Sequence, residues 1–143
     1  MVYFRMFSSA LTKIPFNFFG NGKIERDFTF ISDVTSILMS LESELKTRGN
    51  GFFDFVNVGG GKPCSINQVL NLIESITETK IPYNRQEANK IDVKRTSADY
   101  SYLNSLIMNY PTVQIEQGLS AFYEWAIQPG IIDKLSTWVR SVN

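Results

Sequence analysis

The residues best suited to chemistry are an arginine and its neighbours behind a glycine-rich turn. Gly20-Asn21-Gly22 is followed by Arg26-Asp27 and then by the start of an apolar helical pattern. A guanidinium in that position can hold a phosphate through two parallel hydrogen bonds, and nearby backbone amides can assist. The alternative is a surface ion pair between Arg26 and Asp27, which contributes little. The residues alone leave both interpretations open.

A second glycine run, Gly59-Gly60-Gly61, lies between a predicted strand and a predicted helix, where a dinucleotide-binding loop would lie. The fingerprint G-x-G-x-x-G needs a third glycine, but this chain has Cys64 there, and Pro63 interrupts the loop. The pattern therefore favours a tight turn that leads into a helix. We predict that this chain alone binds no cofactor.

Side chains for catalysis do not form a recognisable pattern. The chain has no histidine, and its one cysteine, Cys64, excludes an internal disulfide. None of the six tyrosines is followed by lysine four residues later, so the proton-transfer pair Tyr-x-x-x-Lys is absent. Five acidic residues lack the spacing of a metal site or a carboxylate pair: Glu25, Asp27, Asp33, Asp92 and Asp99. The sequence predicts no catalytic residue and no metal site.

Composition limits the class of protein. The 143 residues are 43% hydrophobic, which is enough for one domain with a buried core. Fourteen basic and fourteen acidic residues give a net charge of zero, which argues against nucleic acid as a partner. No apolar run approaches the roughly 18 residues of a membrane span, and no signal peptide is evident. We expect a cytoplasmic protein.

The elements that must position these residues follow from the apolar spacing. Pro15 and Gly20 bound a short aromatic strand, and Ser32 or Asp33 is expected to cap the helix after Arg26. Ser65 and Gln68 match a capping box. The predicted helices are 2–13, 33–46, 66–77, 98–108, 114–127 and 131–141, and the predicted strands are 16–19, 52–58 and 81–86. The fold class is α/β, with short strands among five or six helices.

Several segments occur in an order known from one enzyme family. They are Met1–Phe7, Phe18–Gly22, Gly20–Val34, Phe55–Gly59, Asp92–Asp99 and Ile115–Trp125. Together they resemble the C-terminal part of the NAD-dependent nucleotide-sugar epimerases and dehydratases, which belong to the extended short-chain dehydrogenase/reductase family. Their spacing is most similar to that of the UDP-glucuronate 4-epimerases.

The resemblance implies roles for individual residues. Arg26 would hold the diphosphate, and Phe28 takes the aromatic position beside it. Asn17 and Phe19 would lie beside the uracil, and Asp92 would lie near the ribose.

One position departs from the family pattern. This chain has Asn89 where many relatives carry arginine three residues before the acidic residue, so the resemblance makes Asn89 the sixth candidate substrate-binding residue, in the place of a second diphosphate contact. Arg85 and Lys90 are alternative cations for it. Ile91 replaces the glycine that usually precedes the acidic residue, so the backbone of this loop is expected to differ.

The resemblance also implies what residues 1–143 lack. They would form the small substrate-binding domain of such an enzyme, with the NAD-binding Rossmann domain missing. The parent enzyme would use NAD and a UDP-sugar, while this chain alone would be inactive. Alternatives are part of a 4,6-dehydratase or reductase, or a stand-alone module that binds a nucleotide sugar or a partner protein. An apolar face left bare by the missing domain would favour association, including with a second copy of the chain.

Overall fold

A computed structural model describes residues 1–107 and 112–141 as a small mixed α/β domain with six helices and four short strands, which confirms the predicted fold class. The predicted end of the fourth helix at residue 108 lies outside these residues. The helices are α1 (Val2–Thr12), α2 (Ile31–Thr47), α3 (Ile66–Thr77), α4 (Ser101–Leu106), α5 (Ile115–Ala126) and α6 (Ile131–Ser141). The strands are β1 (Phe16–Phe19), β2 (Glu25–Arg26), β3 (Cys64–Ser65) and β4 (Tyr83–Gln86).

The core lies where α1, α3 and α5 pack around β1. Helix α3 contributes an apolar face because Ile66, Val69, Leu70 and Ile73 recur at helical spacing, and all four are buried. The capping box of Ser65 and Gln68 is also confirmed: each side chain accepts a hydrogen bond from the other residue's backbone amide.

Strands β1 and β4 pair in parallel, with Phe16 opposite Tyr83. Two side chains fix the entry of β4. The Ser9 hydroxyl donates to the Pro82 carbonyl at 2.7 Å, and the Glu74 carboxylate accepts the Ile81 amide at 3.0 Å. These contacts tie β4 to α1 and α3. Because β4 is fixed in this way, its pairing with β1 fixes the position of β1 as well.

The turn after β1 docks on the start of α3. Gly22 has φ +73°, and a Cβ added there would lie 2.0 Å from the Asn67 side-chain oxygen. The Asn67 amide donates to the Gly22 carbonyl at 3.0 Å. Only glycine fits this close approach without displacing its neighbour. The turn then leads into β2, which pairs antiparallel with β3, so that Arg26 lies opposite Cys64.

Two predictions of local structure are wrong. Residues 52–58 form no strand and are largely exposed, with Phe53 and Phe55 at 77% and 82%. An extended apolar segment needs neighbouring strands to bury its side chains and pair its amides, and no described strand lies beside it. Helix α2 begins after Phe30 without a side-chain cap. Asp33 instead accepts the Val113 amide at 2.8 Å and lies in the first helical turn, where a carboxylate is electrostatically favoured.

None of the described helices combines the length and apolar composition needed to cross a membrane.

Candidate functional site

A cleft of about 640 Å³ opens between the first turns of α1, strand β1 and the segment that contains β2. It is lined by five of the six predicted site residues: Asn17, Phe19, Arg26, Phe28 and Asp92. These residues come from three parts of the chain that the fold brings together.

Arg26 is fixed by three acceptors. Its Nη1 donates to the backbone carbonyls of Glu25 at 2.8 Å and Val93 at 2.7 Å, and its Nη2 donates to Asp92 Oδ1. A guanidinium carries five N–H groups, so two remain for a ligand. Its side chain is 23% exposed, which leaves it accessible from the cleft. The predicted alternative, an ion pair with the adjacent Asp27, is not what the structure shows, because the carboxylate partner is Asp92.

Asp92 reaches Arg26 because residues 92–96 run alongside β2. The Glu25 amide donates to the Lys94 carbonyl at 2.9 Å, and the Thr96 amide donates to the Glu25 carbonyl at 3.2 Å. Arg95 adds an ion pair with Glu25 at 3.4 Å. This backbone pairing, rather than the ion pair of Arg26 itself, sets the position of Asp92 at the edge of the cleft.

Asp27, the residue after β2, bonds the backbone and side chains that follow Arg95. Its Oδ2 accepts the Ala98 amide at 2.9 Å, and its own amide donates to the Thr96 hydroxyl at 3.1 Å. The backbone of Gly59 and Gly60 packs against this carboxylate: a Cβ on Gly59 would lie 2.6 Å from Asp27 Oδ2. Asp27 therefore joins three segments around the backbone that carries Arg26.

Asn17 and Phe19 project from the same face of β1, because alternate residues of a strand point to opposite sides. Phe16 and Phe18 are buried on the other face, whereas Phe19 is 52% exposed. Asn17 Oδ1 accepts a hydrogen bond from Gln86 Nε2 at 3.2 Å. This face offers an exposed aromatic ring next to a side-chain amide, a combination that can stack on a planar base and hydrogen-bond its edge.

Phe28 lies between the cleft and the core, with its ring in edge-to-face contact with Tyr3 at 6.3 Å between centroids. It is half-buried and forms part of the cleft wall.

Asn89 does not line the cleft. Its side chain accepts the Ile91 amide at 3.2 Å, and its carbonyl accepts the Asp92 amide at 3.1 Å, so it shapes the turn before Asp92. The alternative cation Arg85 does not line the cleft either: it donates to the Gly20 carbonyl at 2.9 Å and lies over the Phe18 ring. Lys90, the other alternative, is also not part of the lining.

Sequence reasoning missed one charged residue of the cleft. Arg5 lines it from the first turns of α1, next to Tyr3. The apolar pattern of this helix predicts its buried face, and Arg5 is not part of that pattern. Helical spacing places Arg5 one turn after Met1 and Val2, which also line the cleft, and this spacing was the available signal.

The glycine run packs closely on the segment that carries Arg26. A Cβ on Gly60 would lie 2.3 Å from the Phe28 carbonyl oxygen, so this backbone lies against residues 27–28. Among residues 1–107 and 112–141, no three Cys, Asp or Glu side chains lie close enough to hold a metal ion.

No protein-family model matches the chain. Curated relatives do match it. The chain is 34% identical over 127 residues to the UDP-glucuronate 4-epimerase of Thermodesulfobacterium geofontis, a match that covers 88% of this chain and 38% of the relative. It is 26% identical over 139 residues to the probable UDP-glucuronate 4-epimerase of Rhizobium meliloti, with 87% and 41% covered.

The fold agrees with the sequence. The UDP-glucuronic acid 4-epimerase of Bacillus cereus, solved in complex with UDP-glucuronic acid and NAD, superposes with a TM-score of 0.77 at 29% identity. That superposition covers 94% of this chain and 40% of the other. The chain thus spans about two fifths of the length of the proteins it matches. By sequence and by fold, it belongs with the NAD-dependent nucleotide-sugar epimerases and corresponds to one part of them.

Proposed function

We propose that the chain forms the UDP-sugar-binding side of an NAD-dependent nucleotide-sugar epimerase. The observation that carries this proposal is the cleft, where Arg26, Asp92 and the exposed face of β1 meet. An arginine for phosphate, a carboxylate for hydroxyl groups and an aromatic ring for a base are the groups that a nucleoside diphosphate requires.

The roles follow from chemistry and position. Arg26 would bind the diphosphate, since two of its N–H groups remain and backbone carbonyls fix its orientation. Asp92 would accept hydrogen bonds from the ribose hydroxyls. Phe19 would stack on the uracil while Asn17 bonds its edge, and Phe28 would close the wall next to the diphosphate. Asn89 would contribute indirectly, by holding the turn before Asp92.

The chemical step would need groups that this chain does not supply. Epimerisation in the family uses NAD, and the glycine run here lacks the third glycine of the dinucleotide-binding fingerprint. The sequence lacks Tyr-x-x-x-Lys and histidine. The chain would therefore contribute binding and orientation of the substrate and be inactive by itself. A 4,6-dehydratase or a reductase as the parent enzyme would use the same cleft.

Calorimetric titration with UDP, UDP-glucuronate and NAD tests this function. We expect weak binding of UDP and UDP-glucuronate and none of NAD. Arg26→Ala should abolish UDP binding, whereas Arg140→Ala, which removes an exposed arginine of α6 outside the cleft, should leave it unchanged. Binding of NAD equal to that of UDP, or full UDP binding by Arg26→Ala, would contradict the proposal. Epimerisation of UDP-glucuronate by the purified chain would contradict its inactivity.

Helix α2 and residues 52–56 form a second, apolar surface. Leu38 and Met39 of α2 are mostly exposed, as are Phe53 and Phe55. The Tyr102 hydroxyl anchors this segment by donating to Asp54, and this bond lowers the pKa of the Asp54 carboxyl. An exposed apolar surface of this kind marks an interaction site.

The occupant we favour is a polypeptide equivalent to the remaining three fifths of the relatives' length, because those proteins hold that part and this one in a single chain. Light scattering of the wild type and of Phe53→Ser/Phe55→Ser tests the surface. We expect the wild-type chain to bind a separately purified NAD-binding part of the Bacillus cereus enzyme and the double variant not to. Dimers of the chain alone that the variant abolishes would instead assign the surface to a second copy.

A further inference from the structure

The cleft contains a cation that the roles above leave unused. Arg5 lines it from α1 and forms no hydrogen bond or ion pair with any residue that the structure describes. It is partly buried, and a guanidinium that has lost part of its hydration without gaining a partner costs free energy.

The two arginines of the cleft differ in their partners. Arg26 pairs with Asp92, whereas Arg5 has no carboxylate partner among the described residues. Asp27, the other acidic residue of the lining, accepts the Ala98 amide through Oδ2 and forms no ion pair within the described part of the chain. A ligand in the cleft would therefore meet Arg5 as a second anion-binding group.

We infer that Arg5 binds a second anionic group of the ligand, beyond the phosphate that Arg26 holds. This inference rests on the proposed function, because it assumes that a nucleotide sugar occupies the cleft. Two parts of such a ligand carry the required chemistry: the second phosphate, and a carboxylate on the sugar. An unpaired guanidinium serves either one, since both offer two oxygens to its planar fork.

Titration of Arg5→Gln with UMP, UDP, UDP-glucose and UDP-glucuronate tests the inference. A hydrogen bond to a charged group contributes about 1.5–3 kcal/mol, so we expect affinity to fall roughly tenfold to a hundredfold for the ligands that carry the second anion. A loss for UDP and both sugars, but not for UMP, assigns Arg5 to the second phosphate. A loss for UDP-glucuronate alone assigns it to the sugar carboxylate. Unchanged affinities for all four ligands, or an equal loss for UMP, would overturn the inference.

The variants Arg140→Gln and Arg26→Gln separate this inference from the proposed function. Arg140→Gln makes the same charge change outside the cleft and should bind like the wild type. If Arg26→Gln leaves UDP affinity unchanged while Arg5→Gln lowers it, the assignment of Arg26 fails and Arg5 stands. If the wild type does not bind UDP, the proposed function fails. In that case the wild type and Arg5→Gln are titrated with inorganic pyrophosphate. Weaker binding by Arg5→Gln supports Arg5 as an anion-binding residue, and unchanged affinity overturns the inference.

Discussion

Arg26 and Asp92 are 66 positions apart in the sequence and form an ion pair at the edge of one cleft. The pair exists because residues 92–96 run beside β2, which brings the Val93 carbonyl to the same guanidinium. Any anion that binds Arg26 must therefore share it with Asp92.

The competition between Asp92 and a bound anion leads to a prediction for Asp92→Asn. Removing the carboxylate charge should tighten the binding of inorganic pyrophosphate by up to about fivefold, because an exposed ion pair contributes about 1 kcal/mol or less. The affinity for UDP should increase less than that for pyrophosphate, because the ribose hydroxyls would lose their charged acceptor. Calorimetry with both ligands measures the ratio. Weaker pyrophosphate binding by Asp92→Asn would contradict the competition.

Gly60→Ala should disturb the cleft although Gly60 is not one of its lining residues. The added Cβ would lie 2.3 Å from the Phe28 carbonyl oxygen, so residues 26–28 would have to shift. We expect a loss of about 1–3 kcal/mol in the free energy of unfolding, together with weaker UDP binding. Gly49→Ala is the matched control: its Cβ meets nothing within 4 Å, so its strain at φ +81° should lower stability but leave UDP affinity unchanged. Denaturant titration and calorimetry measure the two effects.

Glu74 should make stability depend on acid. Burial alone would raise the pKa of this carboxyl, but hydrogen bonds from Lys80 and the Ile81 amide, with the lysine charge, hold it below its ordinary value of 4.5. A group with a depressed pKa in the folded state stabilises the protein above the unfolded value and loses that contribution as the pH falls through the folded value. Below about pH 4.5, the Tm of the wild type should therefore fall more steeply than that of Glu74→Gln.

Lys80→Gln gives an independent check on the same carboxylate. Removing the lysine should raise the pKa of Glu74. The Tm of Lys80→Gln should therefore fall less steeply with acid than that of the wild type, as for Glu74→Gln. If plots of Tm against pH run parallel for the wild type and both variants from about pH 3 to about pH 7, Glu74 does not join α3 to β4 in this way.

The local patterns of the sequence predicted the helices well and the sheet pairing poorly. Ser65 and Gln68 lie three residues apart, so the capping box was evident from the sequence and the structure confirms it. Strands β2 and β3 have two residues each, and the paired residues are 38 and 40 positions apart, so no local pattern marks them. Phe52–Val58 has the composition of a buried strand, but burial depends on neighbours that the described residues do not provide.

The candidate site shows the same division. The family resemblance, rather than any spacing of residues, singled out Arg26 and Asp92 together, and the pairing of residues 92–96 with β2 explains why they meet. The helical spacing of Arg5 from Met1 and Val2 was visible in the sequence, whereas its lack of a partner among the described residues is evident only in the folded chain. Asn89 was expected at a ligand because of its position in the motif, whereas its side chain caps a turn.

NMR titration of the isotope-labelled chain with UDP tests most directly whether the cleft between α1, β1 and β2 binds the nucleotide. We expect the largest amide shifts at Asn17, Phe19, Arg26 and Val93, which line or border the cleft. Largest shifts around a second cavity of about 530 Å³, at Lys62, Ser75 and Gln114, would contradict the claim, as would the absence of any shift at saturating UDP.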